Sequence, residues 1–175
     1  MPRYVINPVT PPPKSDKLLK KLVLELRTPT TSLQPLILEE HVPVTKSRHV
    51  FVIWDRWKAV SDERRSSVIV EAYKQAEGDE TASQITIASG VTAEEAVVLG
   101  LLPWKVVPAR KRTDPISEDD YRRAFAAEAN NTLLGAKAVE LRYARLEDAE
   151  QSLQRLQKAL PASRWAVVQE VTSES

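Results

Sequence analysis

Apolar residues keep two different periods along the first half of the chain. LILEEHV (residues 36–42) and HVFVIWD (residues 49–55) are rich in β-branched and aromatic residues and read as strands. In the second run Val50, Val52 and Trp54 lie on one face and Phe51 and Ile53 on the other, which predicts a central strand. The connector PVTKS has a length usual for a hairpin. A turn centred on Thr45 would pair His41 with His49, Glu39 with Phe51 and Leu38 with Val52. One face then carries Leu36, Leu38, Val42, Val50, Val52 and Trp54. The other carries Ile37, Glu39, His41, His49, Phe51, Ile53 and Asp55. A slip of one residue would scatter this second set.

Beyond a turn at residues 56–60 the period changes to that of a helix. Ser61 suits an N-cap, and Asp62 and Glu63 suit the first turn. Val68, Ile69, Ala72, Tyr73 and Ala76 form a stripe that runs to about Glu77, and Gly78 stops it. Upstream, DKLLKKLVLELR (residues 16–27) follows Ser15 as a second amphipathic helix, with a strand as the alternative for its LVLEL run. Residues 3–7 make a short strand or extended arm. Pro8 and Pro11–Pro13 make a stiff linker, with a proline-rich ligand as the alternative.

Downstream, GDETAS (residues 78–83) reads as a loop and QITIA (residues 84–88) as a strand. Thr92 with Glu95 forms a capping box, Gly100 supplies a left-handed helix end before Leu101 and Leu102, and WKVV (residues 104–107) is a further strand. PARKRTDP (residues 108–115) has a proline at each end and a basic run between, and reads as a boundary. Beyond it Ser117 caps a helix ending at Asn130–Asn131. Residues 136–146 alternate, with Val139, Leu141 and Tyr143 on one side. Residues 147–160 form an amphipathic helix, and residues 164–171 a strand. The last two strands should be parallel, by a right-handed crossover, with room for another strand between them. The expected class is therefore α/β of the α+β kind. A strand and Pro-rich linker (1–14) precede an αββαβ module (15–107), and an αβαβ module (116–175) packs on it.

Composition narrows the function classes. At 175 residues, 42% hydrophobic and 28% charged, the chain is an ordinary globular one. Its net charge of +1 favours neither nucleic acid nor membrane, although residues 1–113 carry a net +4 and residues 114–175 a net −3. With no cysteine, thiol catalysis and cysteine-based metal ligation by this chain are excluded. Four glycines and no Gly-rich phosphate loop exclude a dinucleotide site. The first residues lack a secretory pattern and no window reads as a membrane helix, so cytoplasm is the expected address and no cofactor is expected.

Two constellations carry candidate chemistry. Glu39, His41, His49 and Asp55 would offer imidazole and carboxylate ligands to zinc or iron if the hairpin register holds; otherwise they are surface groups. Arg56, Trp57, Lys58, Arg64 and Arg65, beside Trp54, could stack bases or contact a partner. The plainer reading is a core Trp54, a Trp57 covering a helix end, and solvated arginines. Arg110, Lys111 and Arg112 could meet phosphate or simply be solvated.

The order helix, strand, strand, helix, strand over residues 16–88 resembles a BolA-like domain, a relative of the class II KH fold. HVFVIWDRW followed by ERRSSVIVEAY is similar to that family's His-led strand, corner and arginine-bearing helix. ITIASGVTAEEA looks like its last strand and acidic turn. At the place of the family's ligand His this chain has about Gln84, and it has no Gly-x-x-Gly loop, so the resemblance implies fold more than activity. The expected function is a non-enzymatic protein-interaction or regulatory module with a protein partner of unknown identity, with homo-oligomers left open. The alternative is a weak nucleic-acid binder using the Trp/Arg corner, and the third reading a metal-dependent enzyme using the hairpin cluster.

Overall fold

A computed structural model describes residues 17–29, 33–111 and 115–170. The expected strand at residues 3–7, the proline linker, Ser15 and Arg112 lie outside the described residues. The class is mixed α/β, with two three-stranded sheets, and the chain divides into units of residues 1–92 and 93–175.

The first unit runs α1 (Lys17–Arg27), β1 (Leu36–Val42), β2 (Ser47–Ile53), a 3-10 turn (Asp55–Ala59), α2 (Asp62–Glu77), α3 (Asp79–Ser83) and β3 (Ile85–Val91). The sheet order is β1-β2-β3, with β1 antiparallel and β3 parallel to the central β2. The stripe expected on α2 is buried, with Val68, Ile69, Ala72 and Tyr73 packed on Val50, Val52 and Trp54 and joined by Leu19 and Leu22 of α1. Burying side chains of this size stabilises the fold by about 2 kcal/mol each. Gly78 ends α2 at a φ of 97° with its N–H on Lys74 O. Ser61 stands at the N-cap position without a side-chain bond, and GDETAS, expected as a loop, coils into α3.

The second unit runs α4 (Ala93–Val98), β4 (Trp104–Pro108), α5 (Glu118–Ala129), a 3-10 turn (Gly135–Lys137), β5 (Leu141–Tyr143), α6 (Leu146–Ala159) and β6 (Trp165–Gln169). The end of α4 is a complete Schellman motif. Leu101 N–H reaches Ala96 O, Gly100 N–H reaches Val97 O, and Gly100 has a φ of 69°. Ser117 caps α5 by accepting from Asp120 N–H. β4 runs antiparallel to both β5 and β6, so those two are parallel with β4 between them. The split arrangement left open by the sequence is the one adopted.

Two expectations are corrected here. Residues 104–107 were assigned to the first module, but β4 is the centre of the second sheet. The Pro-flanked basic run at residues 108–115 is therefore no domain boundary; it leads from β4 to α5 within one unit, and Arg110 lies 5.2 Å over the Tyr121 ring. Along residues 136–146 only three residues become strand, because the preceding segment coils into a 3-10 turn, and Val139 is left 87% exposed.

The second core is held by Val106, Tyr121, Leu141, Tyr143, Ala149, Leu156 and Trp165. Inside it Glu128 of α5, 5% exposed, receives two donors of Arg155 from α6 at 2.6 and 3.1 Å and Asn131 Nδ2 at 3.1 Å. Tyr143 OH lies 2.8 Å from Ser152 Oγ; burial first, and the Glu128 charge after it, push the phenol up to about 12. Removing one partner of such a pair leaves a charge stranded in the core. Arg155→Ala should therefore cost about 2 kcal/mol in chemical denaturation, and adding Glu128→Gln should recover part of that loss. A single variant as stable as the wild type would show that the pair holds nothing together.

Candidate functional site

The Trp/Arg corner is built into the interior of the first unit. Trp57 has no exposed surface, donates its Nε1–H to Val52 O at 2.9 Å, and meets Trp54 edge-on at 5.3 Å. Arg65 is 6% exposed. Its Nε donates to Val60 O at 2.8 Å, and its two Nη atoms donate to Gly90 O and Trp57 O at 2.9 Å each. A Cβ on Gly90 would stand 2.8 Å from Arg65 Cβ and 2.9 Å from Trp57 Cε2, closer than side chains pack. Trp57 and Arg65, expected as contact residues, are corrected to scaffold: the indole offers no face for a base, and the guanidinium is occupied by carbonyls. Of the same set Arg56 and Lys58 are exposed and Arg64 is half-buried.

The hairpin cluster is taken apart by a one-residue slip. The turn spans Pro43–Lys46, four residues, and Lys46 takes a left-handed φ of 53°. Glu40 is therefore opposite His49, His41 opposite Arg48 and Glu39 opposite Val50. His41 and His49 stand on opposite faces, and among the described residues no group of three or more His, Asp or Glu could hold a metal. The four-ligand site of Glu39, His41, His49 and Asp55 is not formed. Asp55 instead opens the 3-10 turn, with its N–H on Gln34 Oε1 at 3.1 Å.

The true register brings together residues that the sequence did not mark. Glu39 now faces the helices, where it accepts the Tyr73 hydroxyl and lies 3.3 Å from His41 Nε2 and 3.6 Å from Arg48. Arg48 also meets Glu77 at the end of α2, at 3.3 Å, while its buried Nε has no partner. Burial first, then the bond to Glu39, keeps the Tyr73 phenol protonated well above its ordinary range. Only the parity of the turn could have flagged Arg48, Tyr73 and Glu77. On the opposite face His49 Nδ1 is 3.0 Å from Glu40, and its neighbours there are Leu38, Phe51 and Ile87, the last 42% exposed.

In the second unit the sheet face away from the core carries a lattice of charges. Lys105 reaches Glu140 and Glu170 at 3.2 and 2.9 Å, and Arg142 reaches the same two carboxylates at 2.6 Å each. Burial raises the Glu140 pKa, but the Lys105 and Arg142 bonds outweigh it, and the carboxyl ends below its ordinary value. Bonds from Lys105 and then Arg142 do the same for Glu170.

With this geometry in hand, comparison with known proteins adds no relative: no protein-family model, curated protein or solved structure matches the chain. No helix among the described residues is long and apolar enough to cross a membrane.

Two outcomes follow from these networks. Gly90→Ala should lower stability by about 1–3 kcal/mol through overpacking. Arg65→Met, which strands buried carbonyls, should cost about 3 kcal/mol; denaturant titration checks both, and two neutral variants would refute the lock. The depressed carboxyls make the unfolded state the better proton acceptor in acid. Their contribution is complete above the unfolded carboxylate value of about 4.3 and is lost as pH falls through the lower folded values. Melting curves from ~pH 6 to ~pH 3 should therefore drop less steeply for Glu140→Gln/Glu170→Gln than for the wild type, and equal slopes would place the acid sensitivity elsewhere.

Proposed function

We propose that the chain is a non-enzymatic protein-interaction or regulatory module, and that its contact surface is the sheet face of the first unit opposite α1 and α2. The observation carrying this reading is the lateral asymmetry of that sheet. Both helices of the core lie over Val50 and Val52, whereas on the other face Ile53 and Val91 are buried at one end and the half-buried Leu38 and Phe51 lead to the 42%-exposed Ile87 beside Glu40 at the other. Sheets bury such faces under a second layer. The occupant that fits is an amphipathic helix of a partner, with an apolar stripe for Leu38, Phe51 and Ile87 and a basic flank for Glu40, whose side chain is 68% exposed. The order of elements over residues 17–91 supports a BolA-like reading of this unit as part of the same proposal.

A nucleic-acid surface has less to work with. Its indole is buried and its central arginine is engaged, leaving Arg56 and Lys58 as the exposed cations of the corner. The test is selection from a displayed library of amphipathic helical peptides, followed by titration against wild type and Phe51→Glu/Ile87→Glu. Selected peptides should carry basic flanks and bind the variant at least about tenfold more weakly, a loss of ~1.4 kcal/mol. Peptides indifferent to the substitutions would remove this face. Salt-sensitive binding of single-stranded RNA or DNA that falls in Arg56→Ala/Lys58→Ala would replace the proposal with the nucleic-acid reading.

A further inference from the structure

We infer that the outer edge of β1 is a strand-docking site, and that its occupant is this chain's own segment Arg3–Asn7. The two edges of the first sheet are not alike. Trp54 N–H donates to Val91 O at 2.8 Å, so Val91 turns its backbone groups toward β2. By alternation Ala88 and Gly90 turn theirs outward. Both outward carbonyls are already taken: Ser66 Oγ donates to Ala88 O at 2.7 Å and Arg65 Nη1 to Gly90 O at 2.9 Å. Side chains of α2 thus blunt the β3 edge. Among the described residues β1 pairs with β2 alone, along all seven of its positions, and no described strand pairs with the row of backbone donors and acceptors on its other side.

An unprotected edge of that length recruits a strand, and the chain supplies one. Tyr4, Val5 and Ile6 have strong strand preference, and Pro2 and Pro8 bracket them at positions an edge strand tolerates. Residues 8–16 can span up to about 30 Å before α1 begins at Lys17. That is enough to cross a unit of this size. Charge selects the β1 edge as well. The chain before Asp16 carries Arg3 and Lys14 and no acid, while β1 carries Glu40, its side chain 68% exposed beside His49, and Glu39, which Tyr73 and Arg48 already engage. Opposite charges on neighbouring strands favour pairing, and like charges oppose it. The same rule disfavours those registers of a β1 pair between two copies that would set Glu39 or Glu40 against its counterpart.

The test is backbone hydrogen exchange on the intact chain, on a variant lacking residues 2–9, and on Val5→Pro. β2 amides serve as the internal reference for folding. The amides of residues 36–42 that turn away from β2 should exchange on the order of tenfold faster in both variants while β2 is unchanged. A synthetic peptide of residues 1–10 added to the deletion variant should restore the protection. Equal β1 exchange in all three proteins would overturn the inference. Protection of the intact chain that disappears on dilution would also overturn it, by showing that the strand comes from a second copy. Neither readout involves the Phe51 and Ile87 face, so this inference and the partner-helix reading stand or fall separately.

Discussion

The buried guanidinium of Arg65 sets the geometry of the first unit. It gathers carbonyls from the 3-10 turn, from the exit of that turn and from β3, while Trp57, one turn earlier, is tied by its indole N–H to β2. A cation so far from water carries a desolvation cost that only well-aimed acceptors offset. The planar fork of arginine can hold three divergent carbonyls; the single ammonium of lysine, on a flexible stem, is a poor substitute. Gly90 completes the device, since any side chain there would strike Arg65 and Trp57. The corner after β2 is therefore specified by long-range bonds as much as by its own turn residues.

That lock decides which surface groups remain for function. An arginine pair early in a helix, next to two tryptophans, has the composition of a ligand site. Here one arginine and one tryptophan are consumed in joining strand, turn and helix. The same helix face supplies Ser66, so the residues that hold β3 in place also occupy its outer carbonyls. Structural and protective roles coincide on that edge. Among the described residues the edge across the sheet has no such cover, and the two differ because α2 leans its polar first turns over β3 and not over β1.

The longer helices and most of their ends were legible because their signals are local, whereas the short α3 and the unbonded Ser61 cap were not. The α2 stripe, Gly78, the Ser117 cap and the Gly100 ending all depend on residues within a few positions of one another. The hairpin site was not, because it hung on whether the turn holds an odd or even number of residues. Lys46 adopting a left-handed conformation settles that parity, and lysine is not a residue that advertises it. One residue of slip sends Glu39 under the helices to Tyr73 and leaves His49 on the other side. The misplacement of β4 has a different origin. A strand carries no local mark of which sheet it will join, and a proline-flanked basic run looks alike within a domain and between domains.

The non-helical faces of the two sheets differ in how many of their positions are charged, although each leaves one large apolar residue exposed, Ile87 on the first and Val168 on the second. In the second unit Lys105 and Arg142 interleave with Glu140 and Glu170, so each charge finds a partner within this chain. A face neutralised in this way is stable against water and gains little by exchanging its partners for those of another protein. In the first unit the corresponding positions of β1, β2 and β3 are Leu38, Phe51 and Ile87, with one His–Glu pair at one margin and the buried Ile53 and Val91 at the other. Apolar groups there gain free energy only by leaving water, and about 25 cal/mol per Å² is available for doing so. On the proposed interaction reading, association would draw on the apolar groups of the first sheet, while the charge lattice of the second is satisfied within its own unit.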